Sequence, residues 1–283
     1  MIRFDRVSTL TDPDALSAVI GPVARVDRRP LDTVASYSAS TLERLCVRTR
    51  TGEERRLILK RTPLRQDWLA YRSGDVVGRE AALLDDPAFR AVWEVFACPY
   101  LAYAAEEGTI GLLMEDLGDA LAPAVRAPID RAQEDALIRA LATLHARYWQ
   151  SPALDRPWLL RLPQFFDVLG PRPRARADAI APPPQSIHER LQRGWTHALS
   201  LLPPAVCRRL RTAADELAAA ASDLPRTLLH GDAKVANFAF LTDGRVAAFD
   251  WAFAGAGPAT VDLGWYLAVN APRLTRSKEA LIA

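Results

Sequence analysis

The chain has 283 residues, enough for one large domain or for two lobes that each bury a core. Its 49% hydrophobic and 25% charged residues are ordinary for a soluble globular protein. The formal net charge is only +2, from 36 Lys and Arg against 34 Asp and Glu, which argues against a nucleic-acid partner or a membrane surface. Cys46, Cys98 and Cys207 lie far apart without C-x-x-C spacing. That argues against a disulfide framework or a zinc site and fits a reducing cytoplasm. The first residues lack a signal-type apolar stretch, and no segment reaches the ~18 apolar residues that span a bilayer, so membrane insertion is not expected.

The first 115 residues read as α+β. VASYSASTLERLCVRT (34–49) predicts two strands around a Ser-rich turn. RTGEE (50–54) predicts a turn, and RRLILKR (55–61) a strand with period-2 faces. GDVVGREAALLDD (74–86) predicts a helix with Val76, Glu80 and Leu84 on one stripe. CPYLAYAAEEGTIGLLMEDL (98–117) predicts a hairpin around Glu107-Gly108. After Gly118 the pattern turns helical. Residues 129–151 form a long amphipathic pattern with Leu137, Leu141 and Leu144 on the buried side. The Pro- and Arg-rich stretch 169–185 reads as an exposed loop, and helices are expected near 186–201 and 204–222. A hairpin, NFAFL-TDG-RVAAFDW, and a short helix near VDLGWYLAVN follow. The expected organisation is a strand-rich lobe over 1–117 and a mostly helical lobe over 118–283. TRSKEALIA starts a last helix with Ser277 as N-cap, and the chain stops before any C-cap, as a shortened chain would.

HGDAKVAN (230–237) carries the densest chemistry. If Asp243-Gly244 forms a two-residue turn, Thr242 faces Arg245 and Asn237 faces Asp250 at the open end of the hairpin. Facing side chains have Cβ atoms ~5 Å apart, close enough for a carboxylate and an amide oxygen to share a hard cation such as Mg²⁺. Asp232 precedes the same strand. The competing reading is a polar loop with an Asx-turn and a cap.

HGDAKVAN with the later FDW resembles the signature of the aminoglycoside phosphotransferase and choline kinase-like superfamily, which shares the protein-kinase-like fold. Protein kinases carry H-R-D-L-x-x-x-N and then D-F-G at these places. LILKR, GREAALL, LLMEDLGDA, LATLHARYW and GPATVDLGWYL resemble further segments of that group, and the EDLG and HGDAKVANF stretches lean toward its ecdysteroid kinase-like and choline kinase-like branch. The resemblance implies a bilobal α+β fold and an ATP- and Mg²⁺-dependent transfer of phosphate to a hydroxyl of a small molecule. It implies that Asp232 orients the acceptor hydroxyl and takes its proton, and that Asn237 and Asp250 hold Mg²⁺. Lys60, steadied by Glu80, would pair with the α- and β-phosphates. The backbone from Glu115 to Leu117 would meet the adenine edge, Ile58 would roof the ring, and Asp262 would buttress the loop. The stretch SYSASTLE lacks the glycines of protein kinases, so Ser38 and Ser40 hydroxyls are expected to stand in at the phosphates. Lys234 is expected on the γ-phosphate.

His145 is expected to be a buried structural residue, His188 and His197 surface residues, and His230 a brace for the loop. PRPRAR (171–176) reads as a solvated loop and GAGPAT (255–260) as a turn. No G-x-x-x-x-G-K-[ST] loop is present. The rival readings are an inactive nucleotide-binding scaffold and a metal-dependent phosphoesterase built on His230, Asp232 and Asp250.

Overall fold

A computed structural model describes residues 1–31, 38–121, 127–171 and 187–282. The chain opens with β1 (Ile2–Phe4) and α1 (Pro13–Ile20), whose first N–H groups are capped by the Asp12 carboxylate. β2 (Val23–Pro30), β3 (Thr41–Thr49) and β4 (Glu54–Pro63) run antiparallel. Next come α2 (Trp68–Ser73), α3 (Arg79–Asp85), the single turn α4 (Val92–Val95), and the hairpin of β5 (Tyr100–Glu106) and β6 (Thr109–Glu115). Four helices follow, α5 (Arg131–Arg147), α6 (Leu162–Val168), α7 (Ile187–Leu201) and α8 (Pro204–Ala220). The short strands β7 (Thr227–Leu229), β8 (Phe238–Phe240), β9 (Val246–Ala248) and β10 (Gly255–Gly257) precede α9 (Thr260–Val269) and α10 (Lys278–Ile282).

The chain divides into two compact units. One holds Met1–Asp85, Tyr100–Asp116 and Leu162–Ala220. Its six-stranded sheet has the order β1-β5-β6-β4-β3-β2, with β1 parallel to β5 and every other pair antiparallel. β4 shows why the sheet has an inner and an outer face. Leu57 and Leu59 are fully buried, while Ile58 and Lys60 alternate onto the partly open face. The inner face joins Leu45, Val47, Ala102, Ala104 and Leu113 to Val7, Leu10 and Leu16. Gly111 has a packing reason in the middle of β6: a Cβ there would stand 2.7 Å from Leu10 and 2.8 Å from Val7.

Of the two strands expected over 34–49, the second is β3, while residues 32–37, where the first would fall, lie outside the described residues. One expectation needs correction here. The helix expected over 74–86 starts only at Arg79, and Val76 is exposed. The Asp75 carboxylate accepts from the N–H groups of Val77, Gly78 and Arg79, so an Asx-type cap replaces the first helical turn. The hairpin around Gly108 is as expected.

The other unit holds Asp86–Pro99, Leu117–Arg161 and Ala221–Ala283. α5 buries Leu137, Leu141 and Leu144, as its pattern predicts. β7 pairs with β10, and β8 with β9. Phe96, Phe238, Trp251 and the His230 ring form an aromatic cluster at the foot of the β8–β9 hairpin. Among the described residues no helix is long and apolar enough to cross a membrane. The PRPRAR run falls almost wholly, and the His188 side chain entirely, outside the described residues. Ser277 caps α10 with its hydroxyl on the Ala280 N–H.

The register of the β8–β9 hairpin differs from the expectation by one residue. Phe238 faces Ala248 and Phe240 faces Val246. Leu241 N–H donates to Arg245 O and Gly244 N–H to Leu241 O, so Thr242, Asp243 and Gly244 form a three-residue turn. Such loops end with a residue in the left-handed region, and Gly244 sits there at φ 84°. Asp243 completes the turn by accepting from Arg245 N–H. Asn237 therefore faces Phe249, whose N–H donates to its carbonyl at 3.1 Å, and Asp250 stands one position beyond.

Candidate active site

In the sheet-bearing unit, Lys60 Nζ meets Glu80 Oε2 at 2.7 Å. The Tyr100 hydroxyl donates to the other carboxylate oxygen of Glu80 at 2.6 Å. Both Glu80 oxygens are thus engaged, and satisfied hydrogen bonds of this kind are what make a buried ion pair tolerable. The cap at Asp75 sets the start of α3 and so places Glu80 in its first turn.

Asp67 joins three features at one carboxylate. It caps α2 through the Ala70 N–H at 2.8 Å and accepts from the Ala39 N–H at 2.9 Å. Burial pushes its pKa up, against those hydrogen bonds and the nearby Lys60 charge. Ser40 Oγ lies 2.7 Å from Thr62 Oγ1 on β4, and Ser38 Oγ accepts from the Ser40 N–H at 3.2 Å. The two serine hydroxyls therefore hold the end of their own loop.

Ile58 lies on the same partly open face of β4 as Lys60. Glu115 ends β6 opposite Leu57, with its side chain paired to Arg55. Asp116 N–H donates to Arg56 O, so Glu115 and Leu57 form a non-bonded pair and the Glu115 carbonyl turns away from β4. Leu117 O accepts from Ala120 N–H.

In the other unit, the fully buried strand β7 delivers the chain to His230. Asp262, in the first turn of α9, accepts from His230 N–H and Gly231 N–H, both at 2.8 Å, and His145 Nε2 lies 3.1 Å from it. Burial alone would raise the Asp262 pKa, but the His145 hydrogen bond and the Gly231 N–H contribute to holding it below the usual range. His230 takes the Asp232 N–H on Nδ1 at 3.3 Å and reaches the Phe249 carbonyl with Nε2 at 3.2 Å. This assigns the neutral tautomer with the proton on Nε2. Both histidines are the structural residues their positions predict.

The Asp232 carboxylate is surrounded by donors. Oδ1 accepts from Trp265 Nε1 at 2.7 Å, and Oδ2 from Asn237 Nδ2 at 2.9 Å. Lys234 Nζ stands 2.8 Å from the same Oδ2. Asn237 Nδ2 also donates to Asp232 O, which leaves its amide oxygen as the atom suited to a metal. Asp250 adopts the left-handed region at φ 63°, ψ 53°, and its charge acts on His230 together with those of Asp262 and Asp232. An amide oxygen and a carboxylate form a hard donor set, which fits Mg²⁺. Among the described residues no group of three His, Cys, Asp or Glu could hold a metal, so an ion held by this pair would complete its ligands from water or phosphate.

Residues 39–281 match the model of the phosphotransferase enzyme family. The chain belongs to that family. It is a phosphotransferase. The choline kinase LicA from Streptococcus pneumoniae is similar in structure at 12% identity, covering 92% of this chain and 74% of its own, with a TM-score of 0.50. Spectinomycin phosphotransferase APH(9)-Ia, solved with ADP and spectinomycin, is similar at 12% identity, covering 89% and 71%, also with a TM-score of 0.50. Identities this low speak for the fold alone, which is the α+β protein-kinase-like fold. No curated protein matches the sequence.

Within this phosphotransferase, Asp232, Lys234 and Asn237 come together as the sequence predicts, and so do Lys60 and Glu80. Sequence reasoning missed Trp265 and Asn270. Asn270 accepts from Val235 N–H at 2.9 Å and donates to Ala233 O at 3.1 Å. Asp262, Trp265 and Asn270 therefore hold the loop at three points from one helix and its C-cap. Their offsets of three and eight residues from Asp262 are a one-face helical spacing, the one signal that could have found them.

Proposed function

We propose that the protein transfers the γ-phosphoryl group of Mg·ATP to a hydroxyl of a small molecule. The observation that carries this reading is the Asp232 carboxylate, fixed by Trp265, Asn237 and Lys234 on a loop whose backbone Asp262 and Asn270 hold. Phosphoryl transfer has a loose transition state, so the protein's work is to position groups and neutralise charge. Asp232 orients the acceptor hydroxyl and takes its proton. Lys60, steadied by Glu80, meets the α- and β-phosphates. Lys234, whose side chain is 39% exposed, reaches the γ-phosphate from its place beside Asp232. Asn237 and Asp250 would hold Mg²⁺, which supplies neutralising charge at the phosphates.

Backbone bonding narrows the adenine contacts. Asp116 N–H and Leu117 O are already engaged, so the Glu115 carbonyl and the Leu117 N–H are the groups for the ring edge, with Ile58 against its face. The Ser38 and Ser40 hydroxyls, which also hold the loop end, stand in at the phosphates for the missing glycines. In this reading 1–117 is the nucleotide-binding lobe and 118–283 carries the catalytic loop and metal site. The acceptor is an amino alcohol, a sugar, an aminoglycoside or a hydroxylated lipid-like compound. The absence of an acidic run in the helical part of the sequence speaks against a polycation. Neither nucleic acid nor membrane belongs to the reaction, and a reducing cytoplasm is the proposed setting for Cys46, Cys98 and Cys207, which form no disulfide.

A thermal-shift titration with Mg·ATP tests the reading. At ~100 Kd the nucleotide stabilises by ~2.7 kcal/mol. The wild type is expected to shift, and Asp250→Asn to lose the magnesium-dependent part. No shift with any nucleotide would sink the ATP assignment.

A further inference from the structure

We propose that Trp265 is a positioning residue that selects which lone pair of Asp232 receives the acceptor hydroxyl. The inference rests on the phosphotransfer reading above and goes one step deeper into the same site. An ionised carboxylate offers about four lone-pair positions, two on each oxygen. Oδ2 has both filled, by Asn237 Nδ2 at 2.9 Å and Lys234 Nζ at 2.8 Å. Oδ1 has one filled, by the indole N–H of Trp265 at 2.7 Å. Among the described residues the remaining position on Oδ1 is the one an incoming hydroxyl can use. It lies beside the Trp265 N–H.

Two features separate this contact from ordinary packing. Trp265 is only half-buried, while its helix neighbours Asp262 and Tyr266 are fully buried, so the indole stands at the margin of the core. Its N–H is also a neutral donor. It fixes the carboxylate plane without adding a second cation beside Lys234, where another positive charge would compete for the phosphate. In the transfer step the hydroxyl oxygen forms the new P–O bond, the bond from the γ-phosphorus to ADP breaks, and the hydroxyl proton passes to Asp232 Oδ1. Trp265 takes no part in bond making. It holds Oδ1 where the proton leaves, and small misplacements of such groups cost large factors in rate.

The test uses the full chain with water as acceptor, reading ADP release from Mg·ATP. Trp265→Phe keeps the ring and removes the donor. It is expected to lower kcat by about 10- to 100-fold while the KM for ATP stays within about twofold of wild type. Trp265→His restores a ring N–H and is expected to recover most of the loss. In an Asp232→Asn background, Trp265→Phe is expected to cost nothing further, because the group it orients is gone. Wild-type turnover by Trp265→Phe, or the same fractional loss with and without the Asp232 carboxylate, overturns the proposal. If Trp265→Phe fails to fold, Trp265→His decides: the proposal falls if a folded His variant is as slow as Asp232→Asn. A wild type that binds Mg·ATP yet gives equal rates in every variant defeats the Trp265 inference alone. A wild type that neither binds nor turns over Mg·ATP defeats the reading beneath it.

Discussion

His230 sits fully buried between three carboxylates, yet burial pushes its pKa below the ordinary value against the pull of Asp262, Asp232 and Asp250. A histidine depressed in the folded state takes up its proton more readily when unfolded. Its contribution to stability is complete above the unfolded pKa of about 6.5 and is lost as the pH falls from there through the folded value. Between the two pKa values the slope is about 1.4 kcal/mol per pH unit. Urea unfolding at a series of pH values from 7 to 5 is expected to show this decline, and His230→Asn to flatten it. An unchanged slope would assign the acid sensitivity to another group. Both ring nitrogens are engaged, by the Asp232 N–H and the Phe249 carbonyl, which takes His230 out of proton transfer and leaves Asp232 to that role. The sequence showed the residue type and its brace function from position alone. Its one trace of the Trp265 contact was the three-residue helical offset from Asp262, because the carboxylate that the indole meets lies 33 positions away in sequence.

At the scale of elements, α9 acts as the frame on which the catalytic loop is hung. Asp262 satisfies two backbone N–H groups, and Asn270 satisfies one N–H and one carbonyl. Asp262→Asn removes a buried charge from two donors and from His145, and is expected to cost about 3–5 kcal/mol by chemical denaturation. Asn270→Ala leaves the Val235 N–H and Ala233 carbonyl unpartnered, and is expected to cost about 1–3 kcal/mol with a fall in kcat larger than any change in ATP affinity. Equal stability of both variants with the wild type would refute the frame. Periodicity revealed α5, α7, α8 and the β5–β6 hairpin. It failed at α3, where the Asp75 side chain competed with helix for the backbone donors. It failed again in the register of β8 and β9. There Asp-Gly suggested a two-residue turn, but Thr242 joined it and Gly244 took the left-handed position that ends a three-residue loop.

For the whole molecule, the motifs that name the family are local, while the grouping of segments is not. All six strands of the large sheet lie between Ile2 and Glu115, but the unit that contains them also takes in Leu162–Ala220. α6 packs on α2 and α8 on α6 within that unit, and composition gives no hint of either pairing. A chain ended after Asp116 keeps every strand of the large sheet and loses those helices. It is expected to retain a sheet signal in far-UV circular dichroism and to bind a hydrophobic dye that the full chain ignores. A fragment as dye-silent as the full protein would show the helices to be dispensable covers. During synthesis the ribosome must add roughly 50 residues between Glu115 and Leu162, several seconds' work at ~5–20 residues per second. Throughout that wait β2 is an open sheet edge, where a neighbouring nascent chain could add a strand. Arg25, Asp27, Arg28, Arg29 and Pro30 line it, and such charge and proline make an edge a poor template for pairing. The arginines that look like idle surface charge in the finished enzyme thus guard it while it is still half made.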